Sequence, residues 1–390
     1  MSASQPLILT LLGLGAASLA MVGGAPSALA QSSTSPTAAS SSAFAQFAPR
    51  PAAGSPRLDY ELWDEALVFF VLKMGKSTRE NASRPEPGLG TRRVWGHDSR
   101  YRLEGNRIVF SFLEPEVIQS LTDYRADLER IAGEVDIATL SRNEQLAFWM
   151  NLHNVAVIEQ IARNYPVAQP ARMKIGADQV PLDDAGIVTI RGVTMSPKDI
   201  RTQIVYPNWN DPRVIYGFFR GDIGSPSIQD IAFTGGNIGS LLQDVGNEFV
   251  NSLRGAHKQG SKLMVSEIYA EAQPFLFPDW PNDLRAHLAD YADAPVKEIL
   301  AETDEVSATV YENDLADLMN GERDPQYGFV TQSDDRFGSV AQRFRIPGSV
   351  QRLLQERAQK INKLRERKQL QGRVILLNPN GDWAGAEEVE

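Results

Sequence analysis

The chain has 390 residues, with 39 Lys plus Arg against 49 Asp plus Glu, a formal net charge of −10, 42% apolar residues and no Cys. That is the composition of a globular protein, and it supplies no overall positive field with which to coat nucleic acid. Without Cys there is no disulfide, no thiolate zinc site and no cysteine nucleophile, so any chemistry falls to oxygen or nitrogen groups or to a metal held by His and carboxylates.

No charged side chain precedes Arg50. An apolar run from Leu7 to Gly23 leads to Ala28-Leu29-Ala30 and then Gln31, the order of a secretory signal cleaved after Ala30. Residues 1–30 are therefore expected to direct export to a periplasmic or extracellular location, or to anchor the chain in a membrane through residues 7–23 if the signal stays attached. From 31 to 57, Ser, Ala or Pro fills 18 of 27 positions with no apolar periodicity, which predicts a disordered tether.

A domain is expected over residues 58–316. It opens at Asp59, an N-cap ahead of Leu62, Trp63, Ala66, Leu67, Phe70 and Val71 at helical spacing. Residues 107–112 alternate as a short strand, and Pro115 starts a helix with Leu121, Tyr124, Leu128 and Ile131 on one stripe. Residues 187–190 and 193–195 flank Arg191-Gly192 as a hairpin, Ser196-Pro197 begins a helical turn, and residues 213–219 read as a buried strand. Ile238, Leu242, Val245 and Phe249 mark a helix, residues 263–265 a strand, and Leu284, Leu288 and Tyr291 a short helix. Helices first and strands later predict an α+β fold, one large mixed domain with a buried central helix and a small antiparallel or mixed sheet.

The strongest local signal is the segment 141–163, SRNEQLAFWMNLHNVAVIEQIAR, a Ser-x-x-Glu capping box followed by apolar residues on nearly every side. Such a helix is central and buried, so its polar side chains must find partners or cost stability. Glu144, Asn151 and Asn154 share one stripe, and Trp149 and His153 another. The two amides either bond neighbouring backbone and organise the core, or face a ligand.

The stretch AFWMNLHN, preceded by Asn143-Glu144-Gln145, resembles the signature of the bacterial and plant family called domain of unknown function 547. Met195 through Ile200, Asp211-Pro212-Arg213, the segment GDIGSPSIQD and residues 265–275 are similar to it in order and spacing, so the likeness runs from about 58 to 314. The resemblance implies a mixed α and β domain and no established activity. Members often carry a His in the strand after Asp-Pro-Arg and a Cys before the following Pro, a pair implying thiol-protease-like chemistry. Here those positions are Tyr216 and Ser225, and a serine without an adjacent base is a poor nucleophile. His153, where the family more often has Tyr, is the one candidate to serve Ser225 as base.

Thr234-Gly235-Gly236-Asn237 precedes a helix without Walker spacing or Lys, and the four histidines form no ligand pair, so no cofactor and no metal is expected. The extension 317–390 contains a stretch, 347–373, with eight basic residues against two acidic ones. It is expected to form an amphipathic basic helix over 348–371, packed on its own domain or set against an anionic surface or acidic partner, then a strand at 372–377 and an acidic tail. The reading is of an exported protein that binds a small molecule or envelope component, and no specific nucleic acid, through a cleft between the central helix and residues 220–227, with Arg220 and Asp222 as polar contacts. The alternative is a hydrolase or transferase using Ser225 and His153 with Asn151 or Asn154 orienting the base.

Overall fold

Asp59 accepts the backbone N–H of Glu61 at 2.9 Å, and the chain turns into α1 (Glu61–Phe70), which buries Trp63, Leu67 and Phe70. These coordinates come from a computed structural model that describes residues 43–52, 56–87, 93–332 and 342–367. The expected signal segment, residues 31–42 of the expected tether, and the expected terminal strand and tail lie outside the described residues. After α1, β1 (Val71–Leu72) pairs antiparallel with β2 (Arg107–Ile108). The strand expected over 107–112 thus lasts two residues before a 3-10 turn at Phe110–Phe112. Pro115 occupies the first turn of α2 (Pro115–Glu134).

The central helix α3 (Arg142–Asn164) starts where expected, with the Ser141 hydroxyl accepting the Glu144 N–H. Every residue from Glu144 to Glu159 is buried. Each large apolar side chain removed from water in this way contributes about 1.5–3 kcal/mol, which makes α3 the element the others wrap around. Two hairpins follow, β3 (Lys174–Ile175) with β4 (Val180–Pro181) and β5 (Val188–Ile190) with β6 (Val193–Met195). Arg191 and Gly192, at φ 48° and 76°, form the tight turn between β5 and β6 as expected.

Ser196 and Asp199 close a capping box, and residues 197–208 continue as one helical stretch with a π turn at Ile200–Val205. The strand expected over 213–219 is instead a 3-10 helix, Pro212–Gly217. Asp211 accepts the Arg213 N–H at 3.0 Å and Pro212 presets a helical φ, so this apolar run coils rather than extends. The rest comprises α4 (Ile238–Val250), β7 (Ala256–Gln259), β8 (Lys262–Ser266), α5 (Ile268–Leu276), α6 (Asn282–Tyr291), α7 (Ala294–Ala301), β9 (Glu305–Val310), β10 (Tyr327–Gln332), β11 (Gln342–Pro347) and α8 (Gly348–Glu366).

The fold is α+β. Instead of one small sheet, the described residues hold four two-stranded sheets and one three-stranded sheet, β7-β8-β9, antiparallel between β7 and β8 and parallel between β8 and β9. One apolar core extends from Phe44 to Ala316. Its N-terminal limit corrects the tether expected to reach residue 57, because Phe44 and Phe47 are buried and the Phe47 ring meets Trp149 edge-on at 5.4 Å. Two aromatic rings are enough apolar surface to dock an otherwise Ser/Ala/Pro-rich stretch.

The basic helix forms as α8 and sits on its own domain, over a second cluster of Met74, Leu318, Met319, Val350 and Leu353. Its cations serve local backbone: Arg352 donates to the Trp95 and His97 carbonyls at 2.9 and 2.8 Å, and Lys360 to those of Gly75 and Leu103. Replacing Phe47 by Ala is expected to lower the unfolding free energy by about 3 kcal/mol in a urea titration, the cost of emptying an aromatic core site. A change within error would return residues 43–50 to the tether.

Candidate functional site

Two amides of α3 fix the loops on which the site is built. Asn154 donates to the Gly217 carbonyl and accepts from the Phe219 N–H, both at 3.0 Å, while Asn151 does the same for the two backbone groups of Phe233 at 2.7 and 3.1 Å. Each amide thus imitates a strand neighbour, satisfying a donor and an acceptor that burial would otherwise strand. Between these pins, residues 221–224 run against residues 312–316, with Gly224 N to Glu312 O at 2.8 Å, Ile223 N to Asp314 O at 2.9 Å and Ala316 N to Gly221 O at 2.9 Å. Glycine is required at both ends. At Gly221, with φ +94°, a Cβ would stand 2.3 Å from Ile161 Cδ1, and at Gly224 it would stand 2.5 Å from the Glu312 backbone nitrogen. Arg254 completes the support by donating to the Ile223 and Ser225 carbonyls at 3.0 and 2.7 Å.

These segments enclose a cavity of about 200 Å³ lined by Val157 of α3, Asp183, Arg220, Asp222, Tyr311 and Asn313. Two of its charges, Asp183 and Arg220, are tied into a cluster around Arg201, which is fully buried and has all five N–H groups engaged, while Glu267 lines the cavity and, among the described residues, has no bond to that cluster. Nη1 and Nη2 clasp Asp183 at 2.8 and 2.6 Å, Nε and Nη2 clasp Glu271 at 2.9 and 3.0 Å, and Nη1 also donates to His153 Nε2 at 3.1 Å. Arg220 binds the same Glu271 carboxylate at 2.7 and 3.2 Å, so two cations and two anions close a neutral set. Burial favours the protonated acid at Glu271, but Arg220 and Arg201 outweigh it and hold the carboxyl down at about 2. They hold Asp183 well below the usual carboxylate range in the same way. Asp222 lies outside that balance. Burial pushes it up to about 7 against the opposing pull of Tyr311 and Arg220.

Ser225 and His153 do not form a dyad. Ser225 is fully buried, donates its hydroxyl to the Asp222 carbonyl at 2.8 Å and accepts the Arg220 N–H at 3.2 Å. A guanidinium cannot accept, so His153 Nε2 is the acceptor from Arg201 and Nδ1–H donates to Asn154 Oδ1 at 3.0 Å. Its one lone pair is already committed, and burial followed by the Arg201 charge lowers its pKa to about 3. Tyr216 faces elsewhere, its hydroxyl 2.8 Å from His287 Nε2 and 3.2 Å from the Tyr269 hydroxyl. Glu144 sits near the start of α3 under Gly235, and Trp149 packs edge-on against Phe47 and Phe148. Of the residues singled out from sequence, Arg220 and Asp222 therefore line the cavity, Asn151, Asn154 and Ser225 brace the loops, His153 joins the Arg201 cluster, and Glu144, Trp149 and Tyr216 stand apart. Arg201, Asp183, Glu271 and Tyr311 were missed. Arg201 alone left a signal, a charge on the apolar stripe of Ile200, Ile204 and Val205.

This geometry defines an α+β domain in which a buried helix positions a small polar cavity beside a closed ion cluster. Residues 137–250 match the family described as "Protein of unknown function, DUF547". That match supports the assignment of the chain to the domain-of-unknown-function 547 family, and it extends from the 3-10 turn before α3 to the end of α4. No curated protein and no solved structure matches the chain.

Arg201→Met is expected to cost about 3 kcal/mol of stability, because it removes the bidentate partner of Asp183 and leaves Glu271 to Arg220 alone. The pH dependence separates the carboxyls. Glu271, with its folded pKa depressed, contributes stability that is complete above about 4.3 and lost as pH falls toward 2, and Arg201→Met should make that acid limb shallower without removing it, because Arg220 still binds the carboxylate. Asp222, with its folded pKa raised, makes the protein less stable as pH climbs from about 4 to about 7, by at most about 1.4 kcal/mol per pH unit. Asp222→Asn should remove that fall in denaturation midpoints measured between pH 4 and 8, and an unchanged profile would place the ionised form of Asp222 in the folded protein.

Proposed function

We propose that the protein is an exported, non-catalytic binder of a small polar ligand, held in the cavity beside Arg220 and Asp222. The observation that carries this reading is the pairing of the Arg220 guanidinium and the buried Asp222 carboxyl in a cavity of about 200 Å³, with Arg220 Nε buried and without a hydrogen-bond partner. A buried donor without a partner costs about 1–3 kcal/mol, which a ligand oxygen would relieve. The cavity suits a molecule of a few heavy atoms that offers both an acceptor and a donor, such as an amide, a polyol or a hydroxy acid. Export is supported by the order of the apolar run, the Ala28-Leu29-Ala30 site and the Ser/Ala/Pro-rich residues that follow. Among the described residues no helix is long and apolar enough to cross a membrane. In this reading α8 serves the protein's own fold, since Arg352, Arg357 and Lys360 are spent on backbone carbonyls of residues 73–103.

The non-catalytic half of the reading rests on Ser225, whose hydroxyl is buried and bonded without a base. A fluorophosphonate probe is expected to leave the folded protein unlabelled in an intact-mass measurement; stoichiometric labelling abolished by Ser225→Ala would make the protein a serine hydrolase instead. For the binding half, saturation-transfer NMR with acetamide, glycerol and lactate should show contact by at least one probe, weakened about tenfold or more by Arg220→Met. Probe contacts that survive Arg220→Met, or none at all, would remove the cavity as the binding site.

A further inference from the structure

On the side of the domain that carries α6, a second cavity of about 530 Å³ opens over His287, with Leu276, Phe277 and Tyr291 as apolar wall and Asp283 and Asp290 beside it. His287 is 8% exposed, its ring stacked on Tyr216 at 5.7 Å and met edge-on by Tyr291 at 5.1 Å. The hydrogen bonds fix its tautomer. Tyr269 is fully buried and the Tyr216 oxygen is the one partner of its hydroxyl among the described residues, so Tyr269 must donate to Tyr216. Tyr216 then has its own proton left for His287 Nε2, at 2.8 Å. The opposite direction would strand the Tyr269 proton in the core at a cost of about 1–3 kcal/mol. Burial keeps the imidazole neutral, its pKa lowered to about 4, so its single N–H is on Nδ1, which has no partner among the described residues.

The polar surroundings of that donor are anionic. Asp283 and Asp290 lie four residues before and three after His287, which brings all three to one face of α6. Asp211 and Arg213 neutralise each other through a bidentate pair at 2.7–3.0 Å, whereas Asp283 and Asp290 have no ion-pair partner among the described residues. A negative rim, an aromatic wall and one fixed N–H donor define complementary features in a ligand. We infer that this cavity binds an organic ammonium whose apolar body carries an acceptor oxygen, the ammonium toward Asp283 and Asp290 and the oxygen toward His287 Nδ1–H. The site is separate from the Arg220 cavity and shares no lining residue with it.

Tyramine is the probe, added to full-length protein with ¹⁵N-labelled histidine and followed by imidazole resonances. The expected result is a saturable shift of the His287 Nδ1–H signal, weakened about tenfold or more in Asp283→Asn/Asp290→Asn, with phenethylamine, which lacks the oxygen, binding several-fold more weakly. Both Asp side chains are outside the apolar core, so circular dichroism of the double variant should match the parent. Equal binding of 4-hydroxyphenylacetate, tyramine binding unaffected by the double substitution, or no His287 shift at millimolar tyramine would each overturn the assignment.

Discussion

The structure depends on one constraint: α3 is buried on every side, yet it carries Asn151, His153, Asn154 and Glu159 through the middle of the core. A buried polar group without a partner costs more than a typical hydrogen bond returns, so each of these side chains dictates where another part of the chain must go. Asn151 brings in Phe233, Asn154 brings in residues 217–219, and His153 faces Arg201. Glu159 is met by Arg125 and Thr122 of α2. Apolar burial sets the stability of the domain, and these pairings set which loop lies against which turn of the helix.

The Arg201 cluster is the same logic applied to charge. A guanidinium taken fully out of water is tolerable only when its donors are all met, and Asp183, Glu271 and His153 meet them from three different segments. The arrangement consumes the groups that a catalytic reading would want to use. Glu271 is shared between two arginines, and His153 has spent its lone pair on Arg201. Arg220 Nε, Asp222 and Tyr311 remain outside the closed set, and Arg220, Asp222 and Tyr311 line the cavity together with Asp183, Glu267 and Asn313.

Elements with a strong period or a chemical start signal were legible in the sequence. α3 announced itself through Ser141-x-x-Glu144 and unbroken apolar residues, the β5–β6 hairpin through Arg191-Gly192, and the turn at Ser196 through Pro197. Residues 213–219 misled because a short apolar run has no period of its own, and the local effect of Asp211 and Pro212 decided for a 3-10 coil. The N-terminal anchor was hidden because composition averages over a window, whereas Phe44 and Phe47 act singly. In the candidate site, Arg220 and Asp222 were reachable from the loop's family-like pattern. Asp183, Glu271 and Tyr311 were not, since their partners lie 18 to 89 residues away and no local pattern encodes such a meeting.

Tyr216 and Ser225, the two positions at which the sequence resemblance implies His and Cys, are each accommodated by their own surroundings. At 225 the serine fits the loop as a turn residue, donating to the carbonyl three residues back and accepting from residue 220, so nothing there calls for an ionisable thiol. At 216 the tyrosine hydroxyl links Tyr269 to His287 in a layer of stacked rings. Each residue is satisfied by its own surroundings, and neither is a partner of the other. A nucleophile and a base must share a hydrogen bond to act, and Ser225 and Tyr216 share none.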